Sequence, residues 1–248
     1  MKNIKLTLAY EGTCYLGWQK TKEGPSIEES LQNTLEQILQ HPVAIQASSR
    51  TDAGVHALGQ VVNFLTSKEN LELDRFCVSL NQLLPSDIVI RDAEEMKSDF
   101  HPTLDCISKE YHYCICYGSY QLPHHRRYSW HVHHPIDLDS MRKTALLLVG
   151  QHNFSSFTNV KKNERYNDHI RKVESIEIVE HPEKRLQFIL KGNHFLYKMV
   201  RNLVGTLIYV GMGKLDPEFI PAILESRNRT LAGVTAPAHG LTLFKVLF

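Results

Sequence analysis

The segment Ala47-Ser-Ser-Arg-Thr-Asp-Ala-Gly-Val-His56 is the most distinctive stretch of this chain. It holds the carboxylate of Asp52 between the cation of Arg50 and a turn of small residues at Ala53-Gly54. A neighbouring guanidinium favours the ionised form of a carboxylate, and an ionised aspartate can act as a nucleophile or a base. An Arg-x-Asp pair before a glycine also builds ordinary turns, because aspartate favours turns and glycine allows positive φ. The local pattern alone leaves both interpretations open.

Strand and helix patterns alternate through the first half of the chain, on both sides of this segment. Apolar residues at every second position predict a strand over residues 4–10. Ser26 and Glu29 form a capping box, followed by an apolar face typical of an amphipathic helix. Further predicted elements are a strand over 60–67 and a short helix that is capped by Asp74 and ends before Pro85.

The second half has a comparable arrangement. In a strand over 107–116, Lys109, Tyr111 and Tyr113 would share one face. A long helix is predicted to begin at Phe195, with Tyr197, Lys198 and Arg201 on its polar face. Further predicted elements are a helix from Asp137 through Val149, strands over 173–179 and 185–191, a short helix after Asp216-Pro217 and a final strand over 241–247.

Strands and helices are therefore interleaved in two halves of similar size, without a linker rich in Pro, Gly or Ser. This order predicts an α+β protein of two interlocked subdomains, and 248 residues suffice for a substantial core. We place the N-terminal half, which carries the aspartate segment, at residues 1–105. The C-terminal half covers residues 106–248, and the two form one continuous functional unit.

The bulk composition is that of an ordinary globular protein. With 28 Lys and Arg against 27 Asp and Glu, the net charge is +1, so any nucleic-acid-binding surface would have to be local. An odd number of cysteines, five, suits a reducing compartment better than secretion. The N-terminus alternates like a strand and lacks the apolar stretch of a signal peptide. We expect a soluble, cytoplasmic protein.

Several motifs together resemble one known family. The aspartate segment is similar to the Arg-Thr-Asp-Ala-Gly-Val-His signature of the tRNA pseudouridine synthases of the TruA family. Tyr111-His112-Tyr113 is similar to the family's Tyr-x-Tyr strand, and Phe195–Asn202 to its Phe-Leu-x-x-Met-Val-Arg-Asn element. Other matching elements, which extend the resemblance over nearly the whole chain, are Leu6–Thr13, Gly17-Trp18-Gln19, Phe154–Phe157 and Ala236–Leu241.

The chain departs from the family's pattern at a few positions. Ser49 stands where glycine is usual, Lys109 where arginine is common, and Thr242 where tyrosine is usual. Asn153 replaces an aspartate before the Phe-Ser-Ser-Phe element. None of these departures removes a proposed catalytic group, so they bear on efficiency or target choice more than on the class of reaction.

The resemblance implies a fold, an activity and partners. It implies two ferredoxin-like halves that share an antiparallel sheet with helices packed on it, with the active-site cleft between the halves, and a homodimer. The activity implied is the isomerisation of uridine to pseudouridine at positions 38, 39 and 40 of the tRNA anticodon stem-loop. Because this reaction exchanges no electrons or groups with its surroundings, no cofactor and no metal are expected.

The resemblance also implies roles for individual side chains. Asp52 would be the catalytic nucleophile, and Tyr111 would lie against the target base. Arg50 would occupy the space left by the flipped base, and Arg201 would pair with Asp52. The alternatives are ordinary ones: a packed tyrosine in a strand, a solvated arginine on a helix, and a structural Arg–Asp pair.

Basic and histidine-rich stretches offer further sites. Any of the basic clusters could contribute to an RNA-binding surface, although such clusters are commonly just solvated; they are Arg126-Arg127, Lys161-Lys162, Arg165, Arg171-Lys172 and Lys184-Arg185. Histidines crowd residues 124–134, but no acidic or cysteine partner stands at a recognised metal-ligand spacing, so we predict no metal site there. Two rival hypotheses stay open: the same chemistry on other RNA uridines, and a non-catalytic RNA-binding protein on the same fold.

Overall fold

The computed structural model describes residues 1–159 and 168–248. The predicted basic residues Lys161, Lys162 and Arg165 lie outside this part of the chain. The described residues form two compact units. Unit 1 contains residues 1–107 together with 242–248, and unit 2 contains residues 108–241.

The elements confirm a mixed α/β fold built around antiparallel strands. The helices are α1 (Ile27–Leu39), α2 (Leu73–Leu83), α3 (Leu138–Leu147), α4 (Met199–Gly211) and α5 (Ile220–Ser226). The strands are β1 (Lys2–Tyr10), β2 (Gln46–Ala47), β3 (His56–Thr66), β4 (Ile88–Met96), β5 (Ser108–Tyr117), β6 (Trp130–Val132), β7 (Gly150–Asn153), β8 (Ile170–His181), β9 (Arg185–Gly192) and β10 (Leu241–Leu247). In the described residues, no helix is long and apolar enough to cross a membrane.

Unit 1 is a sheet with the strand order β4-β1-β3-β10 and two helices. β1 pairs antiparallel with β3 and β4, β2 pairs antiparallel with β3, and β10 pairs parallel with β3. The alternating apolar residues of β1 and most of the apolar face of α1 are buried, as their spacing predicts, while Ile38 is half-buried. Ser26 caps α1, since its hydroxyl accepts a hydrogen bond from the backbone N–H of Glu29 at 3.3 Å.

The predicted cap of α2 is wrong. Asp74 lies inside the first turn of α2, and the residue before the helix is Glu72, whose side chain accepts no capping hydrogen bond. An acidic residue is favourable anywhere in a first helical turn because of the helix dipole. The sequence therefore placed Asp74 correctly at the N-terminal end of α2, but Asp74 is the second residue of the helix and not its cap.

The strands of unit 2 have the order β5-β9-β8-β7 with antiparallel pairing, and β6 pairs parallel with β5. Asp137 caps α3 as predicted, because its carboxylate accepts from the backbone N–H of Ser140 at 3.0 Å. The helix ends at Leu147, two residues before the predicted end at Val149. Gly150 begins β7.

Helix α4 differs most from its prediction. It begins at Met199, and Phe195 and Tyr197 precede it without helical structure. Lys198 has a φ of 59°, in the left-handed region, and this stops the helix from extending towards the N-terminus. The predicted polar face of Tyr197, Lys198 and Arg201 is therefore wrong. Most residues of α4 are buried, including the polar Asn202 and Thr206.

Candidate active site

Asp52 lies in the loop between β2 and β3 of unit 1, and its side chain is half-buried. The backbone carbonyl of Asp52 accepts a hydrogen bond from the N–H of Val55 at 3.1 Å, which closes a turn. Arg50, two residues earlier, is exposed. The structure thus places both predicted residues of unit 1 in one loop, which we call the aspartate loop (residues 48–56).

The residue before Asp52 fixes the aspartate loop to the body of unit 1. The Thr51 hydroxyl and the Tyr10 hydroxyl lie 2.8 Å apart in a buried hydrogen bond. The Thr51 carbonyl accepts from the backbone N–H of Trp18 at 3.0 Å. Gly17, whose φ is +103°, allows this close approach, because a Cβ at position 17 would lie 2.7 Å from the Thr51 carbonyl oxygen. A side chain at position 17 would therefore displace the backbone next to Asp52.

Both ends of the aspartate loop are also held. The Ser48 backbone N–H donates to the Val61 carbonyl at 2.9 Å, and the Gln60 side-chain amide donates to the Ser49 carbonyl at 2.7 Å. At the other end, Nδ1 of the buried His56 accepts from the Gly12 N–H at 3.1 Å. The loop therefore has fixed ends, and Asp52 lies between them.

Tyr111 lies on β5 in unit 2 and is 7% exposed. Its ring meets that of Phe195 edge to face, at a centroid distance of 5.3 Å and an interplanar angle of 85°. Tyr113, two residues further on the same face, is fully buried, and its hydroxyl donates to the Pro237 carbonyl at 2.8 Å. Burial raises the pKa of Tyr113 well above its usual value, and Arg201 opposes that rise. Tyr113 is therefore a neutral packing residue.

Arg201 projects from the first turn of α4 and is half-buried. Its Nε donates to the Ala236 carbonyl at 2.7 Å, while the Ala236 N–H donates to the Arg201 carbonyl at 3.1 Å. Two hydrogen bonds thus tie this arginine to the Ala236-Pro237 segment. The segment itself belongs to one of the motifs noted in the sequence.

The residue after Arg201 organises this part of unit 2. The side chain of Asn202 is fully buried and donates to the Phe157 carbonyl at 2.7 Å and to Asn159 at 2.9 Å. Its Oδ1 accepts from the guanidinium of Arg229 at 2.8 Å and from the hydroxyl of Thr235 at 2.7 Å. Sequence analysis missed this network, which we call the Asn202 network. Its partners are distant in sequence, so spacing gave no signal for it.

The departures from the family pattern occupy defined positions. Lys109 lies on β5, on the same face as Tyr111, and is 7% exposed. The Ser49 carbonyl accepts the hydrogen bond from Gln60. Thr242 pairs with His56 in the parallel ladder between β10 and β3. These three departures therefore lie next to residues that belong to, or support, a candidate site.

Comparison with known proteins identifies the family. A family model described as tRNA pseudouridine synthase matches residues 7–105 and 144–248. The chain is 58% identical over 248 residues to tRNA pseudouridine synthase A 2 of Protochlamydia amoebophila, covering 100% of this chain and 95% of the relative. It is 42% identical over 249 residues to tRNA pseudouridine synthase A of Chlamydia muridarum, covering 100% and 92%. The corresponding protein of Acetivibrio thermocellus is 39% identical over the full length of both chains.

The fold and these matches define a class of RNA-modifying isomerases. The chain belongs to the tRNA pseudouridine synthase family. Among solved structures, the archaeal box H/ACA sRNP Nop10-Cbf5 complex aligns at 15% identity and a TM-score of 0.39, covering 83% of this chain and 44% of that chain. This structural similarity is too low to support an argument about function.

Proposed function

We propose that this protein converts uridine to pseudouridine in tRNA, with Asp52 as the nucleophile. Family membership supports the reaction class. The observation that supports Asp52 is its position in the aspartate loop. Asp52 itself is half-buried, whereas Thr51 before it and His56 at the end of the loop are buried and hydrogen-bonded. A fixed loop keeps a reactive carboxylate in one place, and fixed geometry lowers the cost of reaching the transition state.

The chemistry needs one carboxylate and no external reagent. The bond between N1 of the base and C1′ of the ribose breaks, and a bond between C5 and C1′ forms. The hydrogen at C5 leaves as a proton, and N1 gains a proton from the solvent. Asp52 forms a covalent bond to the sugar or to the base ring and is released at the end, so atoms and electrons balance. Either site of attack is compatible with a carboxylate held as Asp52 is.

We extend the proposal to three substrate-binding residues. A base removed from its stack needs an apolar or aromatic surface, which Tyr111 can supply. Arg50 is exposed, and its planar guanidinium can both stack and hydrogen-bond to phosphate. Arg201 supplies a second cation, whose Nε is already committed to the Ala236 carbonyl.

The proposed targets are uridines 38, 39 and 40 of the tRNA anticodon stem-loop, modified by a cytoplasmic homodimer. Mapping pseudouridine in tRNA transcripts after incubation with the wild-type protein tests the targets directly. Pseudouridine at these positions, lost when each uridine is replaced by cytidine, is the expected result. Binding without any pseudouridine would contradict the proposal and favour the non-catalytic RNA-binding alternative.

A second candidate, the same chemistry on other uridines, rests on Lys109. Lysine lacks the bidentate fork that arginine offers to a phosphate, and Lys109 shares the face of β5 with Tyr111. A changed contact next to the base-binding tyrosine could shift the choice of target. Modified positions confined to RNA outside the anticodon stem-loop would favour this candidate. A Lys109→Arg variant that regains positions 38–40 would assign the shift to this residue.

A further inference from the structure

One group of potential metal ligands stands out in the described residues. One ligand atom each of His124, His125 and Glu183 lies within 4.8 Å of the others. The two histidines lie in the short 3₁₀ turn Pro123–His125, and Glu183 lies in the turn between β8 and β9. All three belong to unit 2. No acidic partner for these histidines could be recognised from sequence spacing, because Glu183 lies about 60 residues further along the chain.

One ring nitrogen of the half-buried His125 lacks a hydrogen-bond partner among the described residues. This nitrogen, Nε2, is shielded from solvent. The nearest carboxylate oxygen, Oε2 of Glu183, is 3.7 Å away, which exceeds a hydrogen bond. Buried polar atoms are rarely left without a partner, so this nitrogen calls for a ligand. A metal ion between His125 and Glu183 would satisfy both groups.

We propose that His124, His125 and Glu183 bind a divalent transition-metal ion of the zinc type. Two imidazole nitrogens and one carboxylate oxygen form a donor set that Zn²⁺ accepts, at bond lengths of about 2.0–2.2 Å. In a tetrahedral site such ligand atoms lie about 3.3 Å apart. His124 and Glu183 are exposed, so rotation of their side chains can close the remaining distance. The ion would join the turn at residues 123–125 to the β8–β9 hairpin.

The residues around His125 bear on two features of the proposed site: the space for a fourth ligand and the charge that Glu183 supplies. His125 also lines a cavity of about 200 Å³, which is large enough to hold a water molecule beside its ring. Arg185 lines the same cavity, and its positive charge opposes a cation. The Glu183 carboxylate offsets this charge, so removal of its negative charge should weaken metal binding most.

The chain contains a matched control. The rings of His131 and His133 are as close as those of His124 and His125, with centroid distances of 3.9 Å and 4.1 Å. Among the described residues, however, no carboxylate completes a metal-ligand group with the second pair. Nε2 of His131 is hydrogen-bonded to the Gly118 carbonyl at 2.9 Å. A pair of neighbouring histidines is therefore present at both places, and the acidic partner at only one.

The test is a calorimetric titration of the metal-free full-length protein with Zn²⁺, together with Co²⁺ absorption spectra. We expect one ion per chain in the wild type and a tetrahedral Co²⁺ spectrum. Glu183→Gln and His124→Ala should each weaken binding by at least about 10-fold, and His133→Ala should leave it unchanged. At 100-fold excess over the dissociation constant, Zn²⁺ should raise the melting temperature of the wild type by about 5–10 °C.

Two results would overturn the proposal. The first is the absence of stoichiometric binding by the wild type, in which case His125 and Glu183 form only an ion pair. The second is equal weakening by His133→Ala and Glu183→Gln, which would show that zinc binds to surface histidines without the carboxylate. Glu183 and His124 are exposed, so both variants should fold, and their melting temperatures without metal verify this.

Discussion

The aspartate loop of unit 1 and the Arg201 region of unit 2 are held in different ways. Hydrogen bonds between neutral groups contribute to holding the aspartate loop, such as the one between the Tyr10 and Thr51 hydroxyls and the one from the Gly12 N–H to His56. In unit 2, one buried side chain, Asn202, joins α4 to two other segments and to the Arg229 guanidinium. Loss of one such bond costs about 1 kcal/mol, whereas loss of a buried side chain that joins several segments removes several hydrogen bonds at once and costs more. Variants that remove one hydrogen bond near Asp52 should therefore alter the rate more than the stability, whereas variants around Asn202 should alter the stability.

The largest expected effect on stability is that of Asn202→Ala. It removes one acceptor of the partly buried Arg229 guanidinium, whose pKa burial already lowers and which keeps the Gly233 carbonyl. It also leaves the Phe157 carbonyl without the donor from Asn202 and opens a cavity in a fully buried position. We expect the free energy of unfolding to fall by about 3 kcal/mol. Urea denaturation measures this change.

Thr235→Val is the matched control for Asn202→Ala. It removes a hydroxyl that donates to Asn202 and accepts from Arg229, and it keeps the bond between Asn202 and Arg229. We expect the free energy of unfolding to fall by about 1 kcal/mol. Equal losses in the two variants would show that Asn202 does not organise this region.

Tyr111 tests the assignment of a substrate-binding role in unit 2. Because base–aromatic stacking contributes about 1–3 kcal/mol, Tyr111→Ala should lower kcat/KM by about 10- to 100-fold. Tyr111→Phe keeps the ring and should stay within a few-fold of the wild type. The rates are measured by release of tritium from C5 of uridine in tRNA.

Tyr113→Phe provides the comparison on the same face of β5. It removes the hydrogen bond to the Pro237 carbonyl, so we expect a loss of about 1 kcal/mol in stability with little change in kcat/KM. If Tyr113→Phe lowered the rate as much as Tyr111→Ala does, the distinction between a packing tyrosine and a base-binding tyrosine would be wrong.

Gly17→Ala perturbs the aspartate loop without touching Asp52. The added Cβ would lie 2.7 Å from the Thr51 carbonyl oxygen, at a backbone φ of +103°. We expect the free energy of unfolding to fall by about 1–3 kcal/mol and kcat to fall as well. Gly213→Ala is the control, since its φ is +67° and no atom lies within 4 Å of the added Cβ. A normal kcat in Gly17→Ala would mean that the loop is not held through this contact.

The smallest expected effect is a pH dependence of stability in unit 2. Burial is the main cause that lowers the pKa of His194 and of His239 from the usual value of 6.5. Both imidazoles stay neutral in the folded state at pH values where they are protonated in the unfolded state. Stability should therefore be fully present above pH 6.5 and should decrease as the pH falls below it. Urea midpoints at pH 7.5 and 5.5 measure the decrease, and His194→Asn should reduce it.

The sequence predicted helix caps and strand bounds well where interactions between neighbouring residues determine them. The cap at Ser26 and the bounds of β10 agree with the prediction, because side-chain capping and alternation act within a few residues. The beginning of α4 could not be predicted in this way. Phe195 to Lys198 have helical spacing, yet Lys198 adopts a left-handed φ of 59°. Tertiary contacts determine that choice, and a single sequence does not contain their pattern.

The candidate site likewise combines local features, which the sequence predicts, with long-range contacts, which it does not. The turn at Asp52 follows from its own residues, aspartate followed by alanine and glycine. The contacts that hold the turn come from Tyr10, Trp18 and Gly12, which lie far earlier in the chain. The Asn202 network and the group of His124, His125 and Glu183 likewise join residues that only the fold brings together.

The central claim is that Asp52 performs the chemistry, and a comparison of Asp52→Asn with the wild type tests it most directly. Tritium release from tRNA labelled at C5 of uridine reports bond formation at that carbon. We expect release to fall by at least about 10⁴-fold in Asp52→Asn, with tRNA binding and the melting temperature nearly unchanged. Asp99→Asn, an exposed aspartate of the same unit, should release tritium at the wild-type rate. Tritium release by Asp52→Asn at a rate near that of Asp99→Asn would contradict the account.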